Sequence, residues 1–321
     1  MNVRFGILGL GSISTRFASA LNTVEGVELS AVAARDQTRS DNFAHQFNVK
    51  KAYHNYLDVI TDSEVDIVYV GLTNNYHFEM SKLCLENHKA VLCEKPLVTS
   101  RRDTEVLTAL AEQNQTFLME ALWTRCMPAF KRAKAWVTMG KIGQVKLITA
   151  NFSIKAEYDP KGRLFNRKLA GGSLFDVGIY PIDLATGILA EYPDRITGLA
   201  RISPTGVDES AVFSMSFANG ALANLTCGFN VQTMNNASIY GTEGHLILDN
   251  CYGPQKCELF DDENNLLDRF EESVPDGLVY EIRHCADSYL QGKLESDLIP
   301  WQDTIACAGI FDELRKQWGL M

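Results

Sequence analysis

The first part of the chain alternates between short apolar runs and longer segments with helical periodicity. The apolar runs predict buried strands at residues 3–8, 27–33, 65–71, 89–93 and 116–119. The segments between them predict amphipathic helices at residues 14–22, 37–47, 77–87 and 102–114. Strands and helices that alternate in this way are typical of a parallel sheet with helices on both faces. The pattern therefore predicts a doubly wound α/β domain over residues 1–120.

Strands dominate the pattern after residue 143. Apolar alternation predicts strands at residues 145–154, 196–202, 211–217, 221–229, 237–241 and 245–249. Helical periodicity predicts helices at residues 128–139, 173–189, 280–291 and 301–318. Short turns such as Asn219-Gly220 join several of the strands, which is typical of antiparallel pairing. Residues 121–321 are therefore predicted to form an α+β domain with a large, open, mostly antiparallel sheet.

The last predicted helix, about residues 301–318, is free to pack back on the first domain. An open sheet with helices on one face leaves its other face to be covered. A second copy of the chain can cover it, so we expect a homodimer, or a dimer of dimers, through this face.

Composition and charge exclude several functional classes. The 321 residues are 46% hydrophobic and 22% charged, with a formal net charge of −10. An acidic chain is not expected to bind nucleic acid, which requires a basic surface. No apolar run reaches the ~18 residues of a membrane helix. The eight cysteines form no C-x-x-C pair, so we expect reduced core thiols and no metal site. Because no leader-like segment follows Met1, we expect a cytoplasmic protein. We also expect its partner to be a small-molecule substrate.

A glycine turn follows the first predicted strand and leads into the first predicted helix. Gly9 allows a tight turn, and Gly11 has no side chain to obstruct a pyrophosphate. Ser12 and Ile13 open the helix, whose unpaired N–H groups favour an anion. Ser14 takes the position of the third glycine of this motif. The stretch predicts a Rossmann-type dinucleotide site.

The end of the second predicted strand bears on the choice of cofactor. An NAD site places an acid at this position, to accept hydrogen bonds from the ribose hydroxyls. Here Arg35 stands at the tip of the strand and Arg39 follows one helical turn later, which favours the 2′-phosphate of NADP. Asp36 offers the alternative of a ribose-binding acid, so NAD is also possible.

Two further segments carry residues suited to proton and hydride chemistry. Glu94-Lys95-Pro96 follows a predicted strand, at the sheet edge where ligands bind in such folds. A lysine there can orient a hydroxyl or carbonyl oxygen. Asp176 and Tyr180 are four residues apart, on one face of a predicted helix.

Three stretches, in this order and at this spacing, resemble the Gfo/Idh/MocA family of oxidoreductases. They are Gly6-Ile-Leu-Gly-Leu-Gly-Ser12, Glu94-Lys95-Pro96, and the stretch from Gly171-Gly172 through Asp176, Gly178 and Tyr180 to Asp183. Within the family, the chain is most similar to the dimeric dihydrodiol dehydrogenase-like branch. The residues that carry this similarity are Glu120-Ala-Leu-Trp-Thr-Arg125, Gly162-Arg-Leu-Phe-Asn166 and Tyr180, where most of the family has histidine.

The resemblance implies roles for the residues that match its motifs. Lys95 would bind the reacting oxygen and favour ionised Tyr180, which would give or take the proton. Asp176 would bind substrate or orient this pair, and Trp123 would line the pocket of nicotinamide and substrate. The remaining implied cofactor contacts are Gly9, Gly11, Ser12, Ile13, Arg35, Arg39, Thr73, Asn74, His77, Glu94 and Lys95. The remaining implied substrate contacts are Arg125, Arg163 and Asp183. Thr73 replaces the proline usual in the family, and His77 is expected to be structural.

Three functions are compatible with these features. The first is an NADP-dependent oxidoreductase that transfers a hydride between nicotinamide and a secondary alcohol or carbonyl of a sugar, polyol or trans-dihydrodiol. The second is an NAD-dependent sugar hydrolase or eliminase of the same fold that regenerates its cofactor. The third is a non-catalytic regulator that senses the cofactor. The presence of Lys95, Asp176 and Tyr180 together favours the first function over the third.

Overall fold

The structure, a computed structural model, describes residues 2–321. The chain divides into two compact units. The first unit comprises the described residues up to Leu122 and Leu278–Ile305, and the second comprises Trp123–Gly277 and Ala306–Met321.

The first unit is built on a parallel sheet of six strands in the order β3-β2-β1-β4-β5-β6. The strands are β1 (Val3–Leu8), β2 (Val27–Ala33), β3 (Lys51–Tyr53), β4 (Ile67–Val70), β5 (Ala90–Glu94) and β6 (Leu118–Ala121). The helices are α1 (Ser12–Leu21), α2 (Gln37–Phe47), α3 (Tyr56–Thr61), α4 (His77–Glu86), α5 (Arg101–Gln113) and α8 (Leu278–Leu290). All five strand pairs are parallel. This order is the dinucleotide-binding arrangement of doubly wound sheets.

The central strands of this sheet consist almost entirely of buried residues. All residues of β4, β5 and β6 are buried. Strands covered by helices on both faces have such continuous apolar runs. The prediction of a Rossmann-type parallel sheet is therefore confirmed, although the short edge strand β3 and the helix α3 were not predicted.

The second unit contains an eight-stranded sheet in the order β14-β13-β12-β11-β7-β10-β9-β8. Its strands are β7 (Val145–Ser153), β8 (Arg195–Ile202), β9 (Asp208–Ser216), β10 (Leu222–Gly228), β11 (Ala237–Gly241), β12 (His245–Leu248), β13 (Lys256–Phe260) and β14 (Leu266–Glu271). Its helices are α6 (Pro128–Thr138), α7 (Ile179–Leu189) and the part of α9 (Trp301–Gln317) from residue 306 onward. Only β7 and β10 pair in parallel, so the prediction of a mostly antiparallel sheet is also confirmed.

One face of this sheet is covered and the other carries exposed apolar side chains. Helices α6 and α7 pack against the covered face. A row on the opposite face crosses five neighbouring strands in register. This open-face row consists of Leu222, Leu147, Tyr240, His245 and Phe260, and the last three stack ring on ring.

Besides the unpredicted elements β3, α3, β13 and β14, two further features of the fold differ from the sequence pattern. The predicted helix at 173–189 begins with a π-helical turn, Leu174–Gly178, and becomes α-helical only at Ile179. Residues 278–305, which the pattern assigned to the second domain, group with the first unit, where α8 packs against α1. The eight cysteines are buried free thiols, as expected. Among residues 2–321, no helix has both the length and the apolar character to cross a membrane.

Candidate active site

The glycine turn of the first unit has the tight geometry that its sequence predicts. Gly9 has a φ of +84°, and a Cβ at this position would lie 2.5 Å from the Leu72 side chain. The hydroxyl of Ser14 donates a 2.6 Å hydrogen bond to the carbonyl of Gly9. A Cβ on Gly71 would lie 2.3 Å from that hydroxyl oxygen. Ser14 therefore ties the helix to the turn, and Gly71 leaves the room that its side chain needs.

The start of α1 meets the requirements of a pyrophosphate site. Gly11 is the N-cap residue, no side chain caps the helix, and its first turn has no acidic residue. A Cβ built on Gly11 would meet no atom within 4 Å, so the space on this side of Gly11 is open. Helix N-termini of this kind favour anions through their free N–H groups and dipole. Gly11, Ser12 and Ile13 thus fit a dinucleotide.

Asp36 and the arginines around it are arranged at the end of β2. The Asp36 carboxylate caps α2 by accepting a 2.8 Å hydrogen bond from the backbone N–H of Arg39. The Arg39 guanidinium donates two bonds, of 3.2 and 2.7 Å, to the carbonyl of Leu10 in the glycine turn. The exposed Arg35 guanidinium lies 5.7 Å from the centre of the Tyr76 ring. Arg39 is therefore tied to the glycine turn and Arg35 lies beside Tyr76, while Asp36 serves as a helix cap.

Glu94 anchors the backbone of Lys95. The Tyr69 hydroxyl donates a 2.5 Å hydrogen bond to one Glu94 oxygen, and the other accepts a 3.2 Å bond from the Lys95 N–H. The Tyr69 ring stacks on Phe17 at 3.7 Å. Burial raises the pKa of Glu94, whereas the neighbouring Lys95 and the Tyr69 hydroxyl oppose that rise. Lys95 precedes Pro96 through a cis peptide bond at the carboxyl edge of the sheet.

His77 joins two loops at this edge. Its ring is fully buried, with Nδ1 2.8 Å from the Pro96 carbonyl and Nε2 3.1 Å from the Leu72 carbonyl. Burial lowers the pKa of His77. Thr73 and Asn74 open the 3₁₀ turn that leads into His77. The neutral ring can donate to one of these two carbonyls, and its close contacts with both loops support the expected structural role of this histidine.

Tyr180 lies in an aromatic cluster of the second unit. Trp123 directs its indole N–H to the Tyr180 hydroxyl at 3.4 Å. Phe152 and Tyr252 stack on each other at 4.2 Å, and their ring centres lie 5.4 and 5.9 Å from that of Tyr180. Tyr180 is 7% exposed, so the cluster shields its phenol from water.

Trp123 is held by glycines that the sequence pattern did not identify. A Cβ on Gly253 or Gly277 would lie 2.4 or 2.3 Å from the Trp123 ring. The hydroxyl of Thr124 donates a 2.6 Å bond to the carbonyl of Tyr252. The indole therefore packs directly on backbone, and no local sequence signal links these distant positions.

Asp176 lies in the π-helical turn and forms an ion pair. Its carboxylate is 2.7 Å from the guanidinium of Arg163, which is largely exposed. The structure thus brings together two of the residues implied for substrate binding. Trp123 and Tyr180 meet in the aromatic cluster of the same unit.

Arg125 and Asp183 occupy the interior of the second unit. They form a 2.6 Å ion pair, and each side chain is only 4% exposed. Arg125 also donates a 3.3 Å hydrogen bond to the Thr186 hydroxyl. A Cβ on Gly187 would lie 2.9 Å from Arg125 Nε. These contacts attach the 3₁₀ turn at residues 123–126 to α7.

Asp208 is a buried residue near this site that the sequence pattern missed. Its carboxylate accepts bonds from the Ser173 hydroxyl at 2.8 Å and from the Leu174 N–H at 2.6 Å. Burial raises its pKa to about 6. In the sequence, Asp208 is an acidic residue at the start of an apolar strand, and this position alone does not indicate which residues it contacts. Within residues 2–321, no three His, Cys, Asp or Glu side chains are grouped to hold a metal ion.

Comparison with known proteins identifies both parts of the chain. The model of the NAD-binding Rossmann domain of the GFO_IDH_MocA oxidoreductase family matches residues 3–122. The model of the GFO/IDH/MocA C-terminal domain matches residues 130–247. The trans-1,2-dihydrobenzene-1,2-diol dehydrogenase of Xenopus tropicalis is 31% identical over 329 residues, covering 100% of this chain and 99% of that protein. The human enzyme of the same name is 31% identical over 331 residues, covering 100% and 98%.

A solved structure supports the same assignment. A 3-ketoreductase from Actinomadura kijaniata, in complex with NADP and TDP-benzene, has a TM-score of 0.89 and 26% identity. The similarity covers 99% of this chain and 98% of that one. The resemblance inferred from the glycine turn and the two later motifs is thereby confirmed. The chain belongs to the Gfo/Idh/MocA oxidoreductase family and is an NAD(P)-dependent enzyme.

Proposed function

We propose that this enzyme is an NADP-preferring dehydrogenase that acts on a secondary alcohol of a trans-dihydrodiol, a sugar or a polyol, or on the corresponding carbonyl. The observation that carries the proposal is the shielded phenol of Tyr180, with the Trp123 N–H directed at it. The full-length similarity to dehydrogenases of trans-dihydrobenzenediol supports the substrate class. The aromatic surroundings of Tyr180 suit a flat or ring-shaped substrate.

The residues at the end of β2 favour NADP over NAD. Asp36 caps α2, so its carboxylate is engaged by backbone, whereas Arg35 is exposed beside it. Guanidinium groups bind phosphate through charge-assisted, often bidentate hydrogen bonds. Arg35 and Arg39 are therefore the proposed ligands of the 2′-phosphate, and Gly9, Gly11, Ser12 and Ile13 the proposed pyrophosphate contacts.

The proposed chemistry assigns one task to each polar residue. When bound, the nicotinamide accepts or supplies the hydride. Tyr180 takes the proton of the substrate hydroxyl during oxidation and returns it during reduction. Lys95 binds the reacting oxygen, with its backbone fixed by Glu94. Asp176 binds the substrate or orients the pair of Lys95 and Tyr180, and Arg163 sets the orientation of its carboxylate.

A substrate screen tests this function. Reduction of NADP and NAD is followed in parallel with trans-dihydrodiols, sugars and polyols, for the wild type and for Tyr180→Phe. We expect faster reduction of NADP than of NAD, and loss of at least ~10²-fold in kcat for the variant. Tyr180→Phe should bind NADPH as the wild type does. Near-normal turnover by this variant would assign the proton transfer to another group. Product release without net reduction of either cofactor would support the hydrolase or eliminase alternative.

The cofactor preference has its own test. Arg35→Ala is expected to weaken NADPH binding by ~10-fold or more and to leave NADH binding unchanged, because only NADPH carries the 2′-phosphate. Arg101→Ala, which removes an exposed arginine paired with Glu105 on α5, is the matched control. Equal effects of Arg35→Ala on both cofactors would contradict the assignment.

We also propose that the enzyme forms a homodimer, or a dimer of dimers, through the open face of the eight-stranded sheet. The open-face row places side chains such as Leu222, 53% exposed, in a line across five strands. Leu222→Asp is expected to yield monomers in light scattering. Val106→Asp, at an exposed apolar position on α5, should keep the wild-type mass. A monomeric wild type would refute the dimer. The cytoplasmic location stays a prediction from the sequence.

A further inference from the structure

We infer that Asp208 is a positioning residue for the proposed catalytic turn: its carboxylate, supplied by the sheet, fixes the segment that carries Asp176 and Tyr180. This inference rests on the proposed function, since it concerns how the proposed proton donor is held. Asp208 itself is buried and is not proposed to touch substrate or cofactor.

The contacts of Asp208 are concentrated at the first residues of the turn. One carboxylate oxygen accepts bonds from both the Ser173 hydroxyl and the Leu174 N–H, at 2.8 and 2.6 Å. Leu174 is the first residue of the π-helical turn, two positions before Asp176 and six before Tyr180. A carboxylate that accepts a backbone N–H at a helix start satisfies a donor that the helix leaves open. Here that carboxylate comes from β9 and not from the residue preceding the helix.

The local sequence is built to admit this carboxylate. Gly172 has a φ of +130°, and a Cβ there would lie 2.4 Å from the second Asp208 oxygen. The next strand supports the other end of the turn, because a Cβ on Gly178 would lie 3.0 Å from the sulfur of Cys227 on β10. Two glycines thus allow two neighbouring strands to approach the turn closely, one at each end.

Charge distinguishes this arrangement from ordinary core packing. Burying an ionised carboxylate costs free energy, and this burial raises the pKa of Asp208 to about 6. The hydrogen bonds from Ser173 and Leu174 and the charge of Arg315 act in the opposite direction and lower this pKa. An uncharged side chain of similar size would fill the same space without this cost. What the aspartate adds is a charge-assisted bond of fixed direction to the turn.

The experiment compares Asp208→Asn with Asp194→Asn in the full-length enzyme. Asp194 also accepts a serine hydroxyl bond at the same sheet, from Ser216, but it is exposed and does not contact the turn. Steady-state kinetics on the best substrate of the screen and hydrogen exchange of the Leu174 amide are measured for both. For Asp208→Asn we expect a fall of at least ~10-fold in kcat, with KM changed less than ~3-fold, because the reacting groups are displaced and not removed. Exchange at Leu174 should be faster than in Asp194→Asn.

Unchanged kcat in Asp208→Asn, or unchanged exchange at Leu174, overturns the inference. If Asp208→Asn does not fold, Ser173→Ala replaces it, since this change removes one of the two bonds and leaves the carboxylate in place. A wild type that is inactive on the whole panel defeats the proposed function. The exchange at Leu174 then decides by itself whether Asp208 holds the turn.

Discussion

The ion pair between Arg125 and Asp183 makes a quantitative prediction. The resemblance implied substrate contacts for both residues, but the structure buries their side chains to 4% exposure and places their charged atoms 2.6 Å apart. In Arg125→Met the Asp183 carboxylate loses its cation while it stays in the interior. Breaking a buried pair from one side costs about 3–5 kcal/mol. The unfolding free energy of the second unit should fall by this amount.

Urea unfolding of four variants measures this cost. Arg101→Met is the control, because Arg101 forms an exposed pair with Glu105 that is worth under ~1 kcal/mol. Arg125→Met and Asp183→Leu should each lower the midpoint strongly. The double variant, which removes both charges, should be more stable than the sum of the single effects predicts, by ~1 kcal/mol or more.

The kinetic behaviour of the same variants decides between the two roles. If Arg125 contacts substrate, Arg125→Met raises KM and unfolds at the same urea concentration as Arg101→Met. That result would refute the assignment of Arg125 and Asp183 to the attachment of α7. Unfolding is monitored at two wavelengths, because a chain of two units need not unfold in a single step.

Three other predictions follow from single contacts. Gly11→Ala should raise the dissociation constant of NADPH at least ~10-fold, because the added methyl group would obstruct the proposed pyrophosphate site. The loss in unfolding free energy should be less than ~1 kcal/mol, since the new Cβ meets no protein atom; titration and scanning calorimetry measure the binding and the stability. Tyr69→Phe should cost ~1.5–3 kcal/mol in urea unfolding, because it removes the buried bond to Glu94 but keeps the ring, and a loss below ~0.5 kcal/mol would contradict it. In the folded wild type the pKa of Asp208 is raised to about 6, whereas in the unfolded chain it has its ordinary value of 3.8. The stability of the wild type relative to Asp208→Asn should therefore fall by ~2–3 kcal/mol from pH 4 to pH 6.5, and a difference that is flat or rises with pH would contradict this.

The parallel sheet can be predicted from the sequence because each central strand is a continuous apolar run followed by a helical pattern. The glycine turn can be predicted for the same reason, since Gly9 and Gly11 act on neighbouring backbone. Edge strands lack this signal. Residues 51–53 of β3 are only partly buried and too few to show a period. Five of the six residues of β14 are exposed, so its sequence shows no alternation of buried apolar and exposed polar residues.

The candidate site is less visible in the sequence than the fold. The motifs identify Lys95, Asp176 and Tyr180, whose functional roles stay predictions. They do not identify Asp208, because its partners lie 34 and 35 positions away and belong to a different element. A helical period also cannot reveal that the turn at 174–178 is π-helical. Such long-range polar contacts arise from tertiary structure, which local patterns do not record.

The contact between Ser14 and Gly71 has a consequence for which residues position 71 can accept. The serine hydroxyl occupies the volume that a methyl group at position 71 would need, and that methyl group would also lie 2.9 Å from the Tyr69 ring. Replacing Ser14 by glycine would therefore not by itself make room for alanine at position 71. Two side chains from different elements thus restrict this position to glycine.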